Sequence, residues 1–105
     1  MNDKAAKIAI GQIIEHQLFA YRGVMIDVDP IFSGSEEWYT AMARSRPPKD
    51  EPWYHVLVDG ADHQTYVAER NLESDPSAKP IRHPEIEHYF DGFSEGRYLP
   101  KRRGN

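Results

Sequence analysis

The chain has 105 residues, 39% hydrophobic and 29% charged, with 13 basic against 17 acidic side chains and a net charge of -4. This length suits one domain burying roughly 60–70% of its unfolded surface, and the apolar content excludes a disordered chain. The absence of cysteine excludes disulfides, thiolate zinc sites and cysteine nucleophiles, and the acidic balance means that a nucleic-acid role needs a local basic patch.

The first dozen residues lack the apolar run of a signal peptide. No stretch approaches the roughly 20 apolar residues of a membrane span, so the expected location is the cytoplasm, with no membrane partner. Ile8, Ile10 and Ile14 share one face at strand spacing, although Ile13 breaks the alternation. Residues 18–23 read as a turn, with Gly23 at a possible bulge. Residues 21–29 are the clearest strand: Val24, Ile26 and Val28 on one face, Met25, Asp27 and Asp29 on the other, ended by Pro30.

The 30–52 connection predicts one helix, capped by Ser33 or Ser35, with Glu36 and Glu37 in its first turn. Its apolar stripe is Trp38, Ala41 and Met42. Arg44 and Arg46 suit its C-terminal end, and Pro47-Pro48 stops it. Residues 53–58 (WYHVLV) are apolar on both faces and predict a central strand. Asp59-Gly60 begins a turn leading to a returning strand over 65–69. Residues 74–80 read as polar and turn-like. Pro84 then predicts a short C-terminal helix carrying Ile86, Phe90 and Phe93 at i, i+4 and i+7, with Gly92 near its end. The tail, including Lys101, Arg102 and Arg103, is basic and expected to fray. The order of elements predicts a mainly β protein, a small antiparallel sheet curled towards a barrel.

Five histidines invite a metal hypothesis, but His16, His55, His63, His83 and His88 contain no HExxH or i, i+4 pair. The favoured reading is a half-buried sheet position for His55 and surface or capping roles for the others. Asp27 and Asp29 lie roughly 6.6–6.8 Å apart along one strand face, a spacing a glycosidase-type acid/base pair could use. Closure of a turn beside Pro30 is the favoured alternative. No nucleophile elbow, dinucleotide fingerprint or phosphate loop is present, so no catalytic residue, cofactor or metal is expected and the chain reads as a non-enzyme. Trp38, Trp53, Tyr54, Tyr66, Tyr21 and Tyr39 could stack on bases or an extended peptide if exposed. Burial is expected for most.

Several stretches carry a family resemblance: Gly11-Gln12 with His16, Arg22-Gly23 running into Asp27-Val-Asp29-Pro30, Pro52-Trp53-Tyr54-His55, and Tyr66 with Glu69. In this order they resemble the heat shock protein HspQ family, also called the YccV-like or hemimethylated-DNA-binding domain. The likeness is strongest over about 8–73, and residues 74–105 resemble a C-terminal extension of a single 1–105 domain. It implies a small SH3-like barrel that binds hemimethylated DNA, takes part in heat-shock turnover of the replication initiator by an ATP-dependent protease, and forms homo-oligomers such as dimers or trimers.

For DNA, the candidate contacts are Arg22, Arg44, Arg46, Lys49, Lys101, Arg102 and Arg103 as one basic strip. For a protease or its clients, the candidate surface is an aromatic-lined sheet edge. The charge balance favours a pure protein-interaction adaptor, and the family likeness favours DNA.

Overall fold

The computed structural model describes residues 6–43 and 45–101. A five-stranded antiparallel sheet has the order β4-β3-β2-β1-β5, built from β1 (Ile13–His16), β2 (Arg22–Asp29), β3 (Trp53–Val58), β4 (Gln64–Ala68) and β5 (Leu72–Ser74). A 3-10 turn, Glu69–Asn71, links the two edge strands. The expected mainly β, antiparallel fold is present, with two helices among the described residues, one of them short. No ladder joins β4 to β5 among the described residues. No helix among the described residues is long and apolar enough to cross a membrane.

The first strand begins later than the isoleucine spacing predicts. Gly11 takes φ 93°, and Gln12 N–H turns back to the Ala9 carbonyl. The kink leaves Ile10 exposed and Ile8 buried outside the ladder. A β-carbon on Gly11 would lie 2.1 Å from the Tyr98 carbonyl oxygen, so a larger residue cannot make this bend. Ile13 breaks the alternation because both faces of β1 are covered: Ile13 packs with Val24, and Ile14 with Met25.

Gly23 lies inside β2, opposite Ile14 and Val58, instead of in the preceding turn. The bulge falls between Met25 and Asp27. One extra residue reverses the alternation, so Val28 packs on the face of Met25 while Val24 and Ile26 share the other.

The helix in the long connection is α1 (Glu36–Met42). Ser35 Oγ accepts the Trp38 N–H, which makes Ser35 the cap. Its buried residue is Tyr39, followed by Ala43 just past the end, whereas Ala41 and Met42 face out. The predicted stripe is therefore displaced by one position. Arg44 lies outside the described residues, and Arg46, at φ 53°, follows the helix.

The C-terminal region departs most from expectation. Helix α2 (Ile86–Tyr89) has 4 residues, and Pro84 precedes its cap. Phe90 and Phe93 belong to a hairpin, β6 (Phe90–Ser94) and β7 (Arg97–Pro100). Glu95 (φ 54°) and Gly96 (φ 82°) form its two-residue left-handed turn. Ile81, Phe90 and Tyr98 pack in one cluster with Ile13, Val24 and Leu57, so the extension covers one face of the sheet. Ser74, read as the start of a turn-like segment, is instead the last residue of β5, paired with Ile14 of β1.

Candidate functional groove

An open groove of about 910 Å³ runs beside β4. One wall is the β1–β2 turn, with Leu18 and Phe19; the other is the end of α1 and the segment after it, with Met42, Ser45 and Pro47. All of residues 64–68 touch it. Successive strand residues point to opposite faces, so a groove touched by five in a row follows the strand's edge. Phe19 is 69% exposed, Met42 63% and Leu18 57%. Among the described residues, no lysine, arginine, aspartate or glutamate lines the groove.

His16 pins the turn wall. Its Nδ1 accepts the N–H groups of Leu18 and Phe19, each at 3.1 Å, and its ring stacks on Phe19 at 4.6 Å. An Nδ1 that accepts two donors carries no proton, so the neutral ring is protonated at Nε2. Burial pulls its pKa below the ordinary histidine value.

The opposite end is an aromatic nest around Trp53, whose ring lies 4.8 Å from Phe32 and 5.3 Å from Tyr66. Trp53 Nε1 donates to the Pro48 carbonyl, and the Tyr39 hydroxyl donates to the Pro47 carbonyl. Burial is therefore the fate of Trp53, Tyr54 and Tyr39, while Trp38, Tyr66 and Tyr21 are half-buried.

Asp29 organises this nest. It accepts the Tyr66 hydroxyl at 2.7 Å and lies 3.2 Å from His55 Nε2. Burial, then the bond to Asp29, pushes Tyr66 up to about 12. Asp29 thus holds side chains, whereas exposed Asp27 accepts the Val28 N–H. The two carboxylates serve separate local structures. His55 is half-buried in the sheet, and His83 Nδ1 accepts the Glu85 N–H. Among the described residues no three metal-ligating side chains group together.

The predicted basic strip is largely committed to acids. Arg22 pairs with Asp75 and Asp59, each at 3.2 Å, and also donates to the Lys79 carbonyl. Lys49 pairs with Glu36 and lies 4.3 Å from the Tyr39 ring centroid. Lys101 reaches Asp91 at 3.4 Å. Arg46 is exposed and forms no ion pair among the described residues; its neighbours Ser45 and Pro47 line the groove. Arg102 and Arg103 lie outside the described residues.

Most signature residues build the frame. The buried Tyr54 hydroxyl donates to Glu69 and accepts the N–H groups of Lys7 and Ile8. The buried Pro52 carbonyl accepts the Glu69 N–H. Gln12 Nε2 donates to Ser74 Oγ, and Pro30 follows β2 at the surface. His16, Trp53, His55 and Tyr66 alone among them reach the groove. Leu18, Phe19 and Met42 were not singled out as site residues; the available signal was two large apolar side chains inside a short turn.

Fold and groove together define a small, mainly β module with an aromatic-ended cleft beside a sheet edge, lined by no charged side chain among the described residues. Residues 6–97 match the family model described as hemimethylated DNA-binding protein YccV like. The chain belongs to the YccV-like family.

Proposed function

We propose that this protein is a non-enzymatic module that binds hemimethylated DNA. The observation that carries this reading is the family match across residues 6–97. Arg46, whose guanidinium forms no ion pair among the described residues, is the foremost described phosphate contact, joined by Lys49 and Lys101 where DNA competes with their carboxylates. Arg44, Arg102 and Arg103 add charge from outside the described residues. Arg22 is assigned a structural role in place of a phosphate contact.

Each phosphate contact adds roughly 0.9 to the slope of log affinity against log salt. With this sparse set of cations the expected slope is about 2–4. Fluorescence anisotropy of a labelled hemimethylated duplex, titrated with salt, tests this. Affinity unchanged by salt, or by Arg46→Ala, would remove the proposed contact set.

A second reading is favoured by a specific observation: Leu18, Phe19 and Met42 stand exposed along a groove that no charged side chain lines among the described residues. On this reading the protein acts in the cytoplasm as a heat-shock adaptor. It brings the replication initiator or denatured proteins to an ATP-dependent protease, as a monomer or small homo-oligomer. Client half-life measured with and without the protein tests it, and an unchanged half-life rejects it.

A further inference from the structure

The groove has a main-chain side that neither reading uses. β4 is an edge strand, partnered by β3 alone. At one end of that ladder the His63 carbonyl accepts the Val58 N–H, and at the other the Pro52 carbonyl accepts the Glu69 N–H. Antiparallel bonding alternates between these ends. Thr65 and Val67 therefore bond to β3, while the N–H and C=O groups of Gln64 and Tyr66 point away from it. No turn, loop or cap bond between backbones takes up those outward groups among the described residues.

Residues 64–68 (QTYVA) contain neither lysine nor proline, the residues that commonly protect an exposed strand. At about 3.3 Å per residue the edge is about 17 Å long. Open apolar side chains stand on both sides of it, from the β1–β2 turn and from Met42.

The geometry points to strand addition: an extended, uncharged apolar segment of a partner polypeptide docks along β4 and bonds to the free groups of Gln64 and Tyr66. Its inward side chains insert between Phe19 and Met42. This rests on the protein-docking reading above and names the mode of that docking. Charge selects the occupant. A phosphate backbone needs cations along its track, and the lining has none among the described residues. A peptide main chain needs only paired donors and acceptors, and its alternate side chains fill the apolar walls.

The test uses the full chain and a short fluorescein-labelled peptide of alternating valine and threonine. Two further peptides carry N-methyl groups on the valine amides or on the threonine amides, which removes donors from one edge at a time. The expected result is saturable binding, slowed amide exchange at Gln64 and Tyr66, and a loss of about tenfold for one methylation pattern only. Met42→Ser, at an exposed position, should weaken the peptide similarly while leaving thermal stability intact; Phe19→Ser should weaken it as well, with a small fall in stability from the lost stack on His16.

Four results overturn the inference. One is the absence of binding. Another is binding with unchanged exchange at Gln64 and Tyr66. A third is protection of those amides by raised protein concentration alone, which assigns the edge to a second copy. The fourth is protection by a hemimethylated duplex, which assigns the groove to DNA. A client half-life that still responds to the protein after any of these leaves the adaptor reading standing by another surface.

Discussion

Arg22 is where a DNA contact and a structural ion pair predict opposite outcomes, so Arg22→Gln is informative. The guanidinium ties the start of β2 to Asp75, Asp59 and the Lys79 carbonyl. The Asp59 pair is partly exposed, 26% and 30% at the two side chains, and contributes little. Asp75 is different, with its side chain 7% exposed. Removing one member of a buried pair costs about 3–5 kcal/mol when the other is left uncompensated. Asp75 keeps bonds from Ser77 Oγ and the Ala78 N–H, which reduces the expected loss to about 2–3 kcal/mol. For a domain of this size that is a fall in melting temperature of about 10–20 °C.

Burial pushes the Asp75 carboxyl up, but the bonds from Ser77 and Arg22 and the Arg22 charge outweigh it and hold the pKa below its ordinary value. Its contribution to stability is thus present above the unfolded value near 4, and is lost as pH falls through the folded pKa. Arg22→Gln should flatten that acid limb. Urea unfolding followed by circular dichroism, paired with DNA binding measured well below the melt, gives both readouts. A variant that melts within about 3 °C of the parent yet loses DNA affinity would refute the structural assignment and restore Arg22 as a phosphate contact.

Three further substitutions probe the frame. Tyr54→Phe deletes the hydroxyl that bonds Glu69 and the Lys7 and Ile8 N–H groups, and should destabilise by about 2 kcal/mol in urea unfolding. Burial, then Glu69, pushes the Tyr54 hydroxyl up to about 12; its contribution is therefore complete below pH about 10 and lost as pH rises towards about 12, a limb the variant should lack. Gly23→Ala would place a β-carbon 2.5 Å from the Leu57 carbonyl oxygen and 2.6 Å from Val56 Cγ1, an overpacking of about 1–3 kcal/mol visible in the same experiment. His16, held neutral by burial, contributes stability above pH about 6.5 that is lost on acidification below it. Thermal melts at pH 7 and pH 5 should show a smaller difference in His16→Gln than in the parent.

The central strands were legible because their patterns are local. The apolar run of residues 53–58 and the polar Asp59-Gly60 turn identify β3 and the return of β4 without further context. Two features were hidden because a competing local pattern was present. Phe90 and Phe93 fit helical spacing, but Glu95-Gly96 is a hairpin turn, and packing of Phe90 and Tyr98 on the sheet decides for strands. The bulge after Met25 leaves no mark in a run of alternating residues, yet it moves Val28 to the other face.

The site was less legible than the fold. Basic residues can be counted in sequence, but their neutralisation cannot: the Arg22 partners lie 37 and 53 positions away. Asp29 was visible beside Pro30, whereas its hold on Tyr66 and His55 depends on β2, β3 and β4 lying side by side. The groove arises from Phe19, Met42 and β4, elements far apart in the chain, and no periodicity links them.

The most direct test of the DNA-binding account is competition among three duplexes of one sequence: hemimethylated, fully methylated and unmethylated. A labelled hemimethylated duplex bound to the full chain is displaced by each in turn at one fixed salt concentration. The hemimethylated competitor should displace the label at least about tenfold more effectively than the other two, equivalent to about 1.4 kcal/mol of discrimination. Equal displacement by all three would contradict it.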